Sequence, residues 1–334
     1  MYLGVKFTSC DLFAQQSDDA ISRTAIAASS VRQILQKAKN NSFDTILKLW
    51  DSVTIATLLY AAEIWALRYC DTLETAQSRY FKSIFRWQRC TPHYVMRQET
   101  GKDKIEASVV KSALNWFHRV KNMQESRFPK ICLTRLEELD KSRINNIKYN
   151  WFSQLKSLLH QVDQEYLLSE ITDPAETRRK ISEAQRKIAE LSTKKDKEKL
   201  NETAFVTHYN RINPENIDVD HNYLYSKVSF AKKKRLFSQL RTRNANFLNL
   251  TINQMNYRIN PNEICTICNT QNLEDTHHLI FVCPIYHNTR NYYLHNHPKD
   301  VNEILSKDSN EQRLTDIYNY FATILKLRSF IINE

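Results

Sequence analysis

Glycine is nearly missing from this chain. Among 334 residues only Gly4 and Gly101 are present, against an ordinary usage of about 7%. Left-handed turns and phosphate-cradling loops favour glycine because it has no Cβ. A chain this poor in it is expected to be helical, and its composition argues against a P-loop or dinucleotide-binding enzyme. Long apolar runs are missing as well. No stretch approaches the roughly 18 consecutive apolar residues of a membrane span. Met1 to Cys10 shows no basic region followed by an apolar run, so it does not read as a secretory signal. A disulfide framework is missing too. The seven cysteines are odd in number; Cys10, Cys70, Cys90 and Cys132 stand singly, while Cys265, Cys268 and Cys283 cluster. That spread fits a reducing compartment, nuclear or cytoplasmic.

What is present supports packed domains. The length allows two or three of them. Apolar residues make up 42% and charged residues 25%, so a core can form. Lys and Arg number 48 against 37 Asp and Glu, a formal net charge of +11. That balance favours a polyanionic partner, either nucleic acid or an anionic membrane face.

Periodicity along the chain is mostly helical. Residues 1–7 read as a short β-like run without partners. Asp18 to Lys39 carries Ile21, Ala25, Ala28, Val31 and Leu35 at helical spacing. Ser42 can cap a very apolar stretch, Ile46 to Leu67, that reads as a buried helix or helix pair. Asp71 to about Gln88 and Lys104 to Met123 form two more helices, with breaks at Thr91-Pro92 and Gly101. Pro129 is taken to close a helical bundle over residues 8–130. A helical connector, 131–212, follows, with Asp140 to Leu168 helical and Pro174 opening a long charged helix to about Leu200. Its seam of Ile181, Ala184, Ile188 and Leu191 is too short for a dimeric coiled coil and is expected to pack on its own domain. Asn213-Pro214 marks a linker into a basic tail, 213–334, which ends in a helix from Leu314 to Ile332.

The sharpest chemistry lies in that tail. Cys265 and Cys268 are followed by His277, His278 and Cys283, a Cys-x2-Cys-x9-His-x4-Cys pattern if His278 is counted. Two thiols two residues apart can grip one metal ion from a tight turn, and a later His and Cys complete a tetrahedron. Zinc accepts thiolate and imidazole together. Four protein ligands leave no open position, so the expected zinc is structural. His277 and His278 compete for one place, and the four residues between His278 and Cys283, as in retroviral-type knuckles, favour His278.

Upstream, no acidic residue occurs from His221 to Asn262. The stretch carries Lys227, Lys232, Lys233, Lys234, Arg235, Arg241, Arg243 and Arg258, and those from Lys227 to Arg243 are the candidate nucleic-acid contacts. Phe230 and Phe237 flank the densest part and can either stack on bases or belong to the core. Lys232 to Arg235 also has the composition of a nuclear localisation signal. A basic stretch beside a zinc knuckle points to RNA or single-stranded DNA.

Five blocks together resemble a known family. Tyr2-Leu3-Gly4-Val5 resembles the run after the catalytic palm strands of non-LTR, LINE-type retrotransposon reverse transcriptases. Leu58 to Trp65, LLYAAEIW, is similar to their LLYGAEIW signature with alanine at Ala61. Leu73-Glu74, Gln77 and Phe81-Lys82 are similar to the helix that follows. Thr91-Pro92 with Arg97-Gln98-Glu99-Thr100-Gly101 resembles the TP…RLETG block. Glu274-Asp275 to Leu279, with Cys283-Pro284-Ile285-Tyr286, resembles the ED..H…CP.Y knuckle. The jockey-like elements of insects are the type most similar, and the resemblance runs from residue 2 to about 290.

It implies a residual palm-end strand, a thumb-like helical bundle whose helices hold nucleic acid by its backbone, and a knuckle in which His278 is the ligand. It also exposes a departure. Palm strands of that family carry an Asp-Asp turn that holds two Mg²⁺ ions, and no Asp pair with β-like flanks occurs here. Asp18-Asp19 reads as a helix N-cap. The chain is therefore expected to be mainly α and not to be a polymerase by itself. It reads as a palm-less remnant that binds RNA or single-stranded DNA, or that works beside a separate polymerase palm. No membrane partner is expected. The alternative is a helical protein-interaction or polymerase-accessory protein without nucleic-acid binding.

Overall fold

The computed structural model describes residues 4–8, 12–39, 42–142, 145–169, 173–202, 209, 212, 223–225, 230–243, 246–306 and 309–332. Met1 to Leu3 and Lys227 lie outside them. The protein is mainly α, as the glycine count implies. In chain order the elements are α1 (Ala14–Lys37), α2 (Phe43–Leu49), α3 (Ile55–Leu58), α4 (Ala62–Trp65), α5 (Cys70–Phe85), α6 (His93–Thr100), α7 (Ile105–Lys121), α8 (Phe128–Asp140), α9 (Trp151–His160), α10 (Pro174–Glu202), α11 (Arg235–Arg241), β1 (Leu248–Ile252), β2 (Met255–Ile259), α12 (His287–Leu294), α13 (Val301–Ile304) and α14 (Glu311–Ile332). Among the described residues no helix is long and apolar enough to cross a membrane.

Several boundaries differ from the sequence reading. The first helix begins at Ala14, so Asp18 and Asp19 lie inside it and do not cap it. Asp19 instead pairs with Lys6 at 2.6 Å and Arg23 at 2.8 Å, and the hydrogen bond from Lys6 holds its carboxyl below the usual carboxylate range. Pro129 sits in the first turn of α8, where its missing N–H costs nothing, so it opens a helix instead of closing a bundle. The hairpin β1–β2 was not expected. Leu248 faces Ile259 and Ile252 faces Met255, and the turn places Asn253 (φ 47°) and Gln254 (φ 71°) in the left-handed region. Asparagine tolerates that region better than most residues, so a two-residue hairpin forms here without glycine.

The chain divides into two compact units that interleave in sequence. The first comprises Met1–Arg32, Leu49–Ser78 and Lys102–Asp196. Its core centres on α7, whose Ala107, Val110, Leu114 and Phe117 are wholly buried. Leu73, Leu155, Leu159, Ile181, Ala184 and Ile188 belong to the same cluster. The heptad-spaced seam of α10 therefore packs inward, and Leu191 is half-buried. A buried Glu74 accepts from the Ile105 backbone N–H at 2.9 Å, and Gln77 donates to the Asp103 carbonyl at 2.9 Å. These two α5 side chains fix the start of α7, where helix N–H groups have no partner within the helix. The apolar stretch after α2 becomes a broken pair. Ala61 breaks it by adopting φ 52°, ψ 24° between α3 and α4.

The second unit comprises Gln33–Lys48, Arg79–Gly101 and Lys197–Glu334. At its centre Glu99 and Arg241, both with fully buried side chains, form an ion pair at 2.7 Å. Tyr209 and Tyr223 donate to the two carboxylate oxygens at 2.8 and 2.6 Å. Arg241 also donates to the Leu305 carbonyl, and the rings of Tyr209, Tyr223 and Phe237 surround its guanidinium. Gly101, at φ 68°, ends α6 immediately after Glu99, where a left-handed residue is favoured.

Two stability effects are expected. Ala61→Gly removes a Cβ from a left-handed position and should stabilise the protein by about 1 kcal/mol, read as a raised urea midpoint. Arg241→Met strands a buried carboxylate and should cost about 3–5 kcal/mol. Adding Glu99→Gln should recover part of that loss; a single-variant cost below about 1 kcal/mol would contradict the central role of the pair.

Candidate metal centre

Glu263 to Glu274 forms a short turn of its own. The Cys265 N–H donates to the Asn272 carbonyl at 2.9 Å and the Glu274 N–H to the Glu263 carbonyl at 2.8 Å, with Ile264 bridged antiparallel to Leu273. Cys265 and Cys268 lie on this turn. The chain then enters a single π turn, His278–Val282. It starts with the Asp275 carboxylate accepting from the His278 N–H at 2.7 Å and ends with the Cys283 N–H on the His278 carbonyl at 2.8 Å. The wide turn returns Cys283 to the same point as His278.

Cys265, Cys268, His278 and Cys283 are all buried, and their ligand atoms lie within 4.8 Å of one another. Cys268 Sγ and His278 Nε2 are 3.4 Å apart. A tetrahedral centre with metal–sulfur and metal–nitrogen bonds of about 2.3 and 2.1 Å has an edge near 3.6 Å between those atoms. The four side chains can thus hold one metal ion, and His278, not His277, joins the thiols.

Electrostatics supports the same use. Burial pushes the Cys283 thiol up to about 12 and raises that of Cys265. Burial also opposes the Cys268 thiolate, but hydrogen bonds from Thr270, Cys265 and Cys283 outweigh it and lower the pKa. Burial holds His278 below the usual imidazole value, which keeps it neutral as a ligand must be. A cation at the centre would reverse the cost of gathering these thiolates. The Tyr286 hydroxyl and His278 Nδ1 are buried without a hydrogen-bond partner among the described residues. Metal-bound thiolates are acceptors that a nearby tyrosine O–H can use.

The surrounding frame was not evident as chemistry in the sequence. Glu274, buried, accepts two hydrogen bonds from Arg328 of α14 at 2.8 and 3.0 Å. One of its oxygens is 4.0 Å from Cys265 Sγ. Arg290 of α12 donates to the Ile280 and Cys283 carbonyls at 2.6 and 2.7 Å. Glu274 is visible beside the cysteine pattern, but its partner lies 54 residues downstream, where nothing in the sequence marks it.

The basic stretch is dispersed by the fold. Lys232 is exposed; Lys233 is half-buried and donates to Thr315 at 2.9 Å. Lys234 is 1% exposed and donates to the Leu224 carbonyl, and burial lowers its pKa to about 8. Arg235 is half-buried and donates to the Ile84 carbonyl at 2.9 Å. Arg241 is consumed by Glu99, and Arg243 is half-buried in the field of Asp275. Lys234 and Arg241 are therefore corrected from contact residues to interior ones, because their charged ends are held inside the protein. Phe237 is core, at 1% exposure. No family model, curated protein or solved structure matches the chain.

Purified protein is expected to carry one metal ion per chain. Elemental analysis should show it lost in Cys268→Ser and Cys283→Ser and retained in Cys90→Ser, whose cysteine is exposed and outside the cluster. Retention in all three variants would remove the assignment.

Proposed function

We propose that the chain is a zinc-bearing nucleic-acid-binding protein related to the region behind the palm of LINE-type reverse transcriptases, and that it has no polymerase chemistry of its own. The observation that carries this reading is the assembled Cys₃His cluster. Its donor set suits zinc, a metal that tolerates mixed thiolate and imidazole ligation. With four protein ligands, the role is to hold a small, irregular segment together. The net charge of +11 supplies the attraction to a phosphate backbone.

Three placements support the family relation. Ala61 stands where the LLYGAEIW signature has glycine, and it is left-handed, the conformation for which glycine is favoured. Gly101 of the RQETG block is the left-handed residue that ends α6. Glu74, Glu99 and Glu274, each a motif glutamate, are buried and bonded to other elements. Those residues act as interior fasteners, a role that a palm-less relative would still require. The competing interaction-protein reading would use the apolar seam of α10 as its contact, but Ile181, Ala184 and Ile188 lie in a core.

Fluorescence anisotropy with labelled oligo(U) is the direct test. Binding at low salt should weaken with a log–log salt slope of about −3, as expected for roughly four phosphate contacts to a single strand. A primer-extension assay of the chain alone with Mg²⁺ should yield no product. Absence of binding at low salt would end the nucleic-acid reading, and extension by the chain alone would end the non-polymerase one.

A further inference from the structure

α5 ends at Phe85, and Arg86 turns left-handed at φ 56°. The carbonyls that a helix end leaves open are met from α11. Arg235 donates to the Ile84 carbonyl at 2.9 Å, and Gln239 donates to those of Phe85 and Arg86 at 3.1 and 3.2 Å. The same Gln239 accepts from the Thr251 N–H at 2.9 Å, covering part of the outer edge of β1. Just ahead of β1, the Phe247 carbonyl accepts from Gln88 at 3.2 Å. The end of α5, α11 and the hairpin thus form one surface within the second unit.

This surface joins two stretches of sequence that contain no Asp or Glu, residues 75–98 and 221–262. Arg86, Arg89 and Arg258 are exposed on it, and none of the three makes an ion pair among the described residues. Lys232, also exposed, lies one turn ahead of Arg235. The Arg258 guanidinium lies 3.8 Å from the centroid of the Phe247 ring. Burial, and then the charge of Arg86, hold Arg235 down to about 10. Like charges are gathered here with backbone carbonyls and a neutral glutamine between them, a cost that a bound anion would relieve. A guanidinium already stacked on an aromatic ring presents its outer plane to an unpaired base.

We propose that this face is the seat of single-stranded nucleic acid, with phosphates on Arg86, Arg89, Lys232 and Arg235 and a base stacked on Arg258. The proposal rests on the nucleic-acid reading above and gives it an address that the basic run alone did not. The test compares Arg86→Glu/Arg258→Glu with an equal charge change on α10 of the first unit, Arg178→Glu/Lys194→Glu, where both residues are exposed. Labelled oligo(U) and an RNA duplex of the same length are the probes.

The first pair should weaken oligo(U) binding by about 10-fold or more and make the salt slope shallower by about 0.7, the loss of the phosphate contact at Arg86. The control pair should change affinity by less than about 1.5-fold. Metal content and urea midpoint show whether each variant is folded, and Arg89→Glu alone, expected to weaken binding by about 3-fold, covers the case in which the double variant does not fold. Equal effects of the two pairs would overturn this address while leaving nucleic-acid binding intact. Tighter binding of the duplex would overturn the single-strand assignment, and a wild-type chain that binds neither probe would overturn this inference together with the reading beneath it.

Discussion

Inside the second unit a carboxylate is kept away from water by four donors among the described residues. Glu99 takes hydrogen bonds from Arg241, Tyr209 and Tyr223, partners that lie 142, 110 and 124 residues away. A buried ion pair contributes little by itself, since desolvation cancels most of the attraction, but removing one member leaves a stranded charge. Its effect is therefore on specificity of arrangement. With Arg241 fixed on Glu99, α11 is set in place, and Gln239 and Arg235 on that helix are set with it. Those two side chains meet the end of α5 and the edge of β1. The orientation of the basic face is thus inherited from one buried carboxylate.

The Cys₃His cluster repeats the same device at smaller scale. Glu274 leaves the cysteine-bearing turn and is gripped by Arg328 from α14, while Arg290 of α12 holds the carbonyls of Ile280 and Cys283. The Leu279 carbonyl accepts from Tyr320 of α14 as well. A segment with so little secondary structure depends on such ties, because its backbone groups have few partners in sequence. An ion held by the four side chains would add a further tie at Cys265 and Cys283, ahead of the helices behind them.

How much of this was legible depends on the range of the interaction. Local signals are legible: Pro92, Gly101 and Pro174 punctuate helices as their backbone chemistry requires, and the cysteine spacing points to four side chains that the fold gathers where they could hold a metal ion. Non-local signals are not. Lys234 and Arg241 looked like surface cations because no acid lies near them in sequence, yet their partners arrive through tertiary folding. Arg89 carries no signal in the sequence, and Arg258 reads only as one more cation of the acid-free stretch, because each is an isolated charge until the fold joins two such stretches. The hairpin hid behind a rule about glycine, although Leu248, Leu250 and Ile252 alternate and Asn253 is a turn residue. A general scarcity of glycine does not forbid one asparagine-led turn.

That scarcity also shapes the energetics. Leu12, Lys39, Ala61, Arg86, Asp163, Asn253, Gln254 and Gln271 all hold positive φ with a side chain present, each at a cost on the order of 1 kcal/mol. Such residues persist only where neighbours over-determine them. At Ala61 the following Trp65 donates to the Tyr60 carbonyl at 3.1 Å. At Arg86 the carbonyl is held by Gln239, and at Gln271 the next residue accepts the Cys265 N–H. In each case the turn that lacks a glycine is pinned by a side chain or backbone group from outside it. The chain therefore exchanges local conformational freedom for dependence on polar contacts, some close in sequence and one, from Gln239 to Arg86, 153 residues away, which makes Gln239, like Glu99, a position where a single change reaches far.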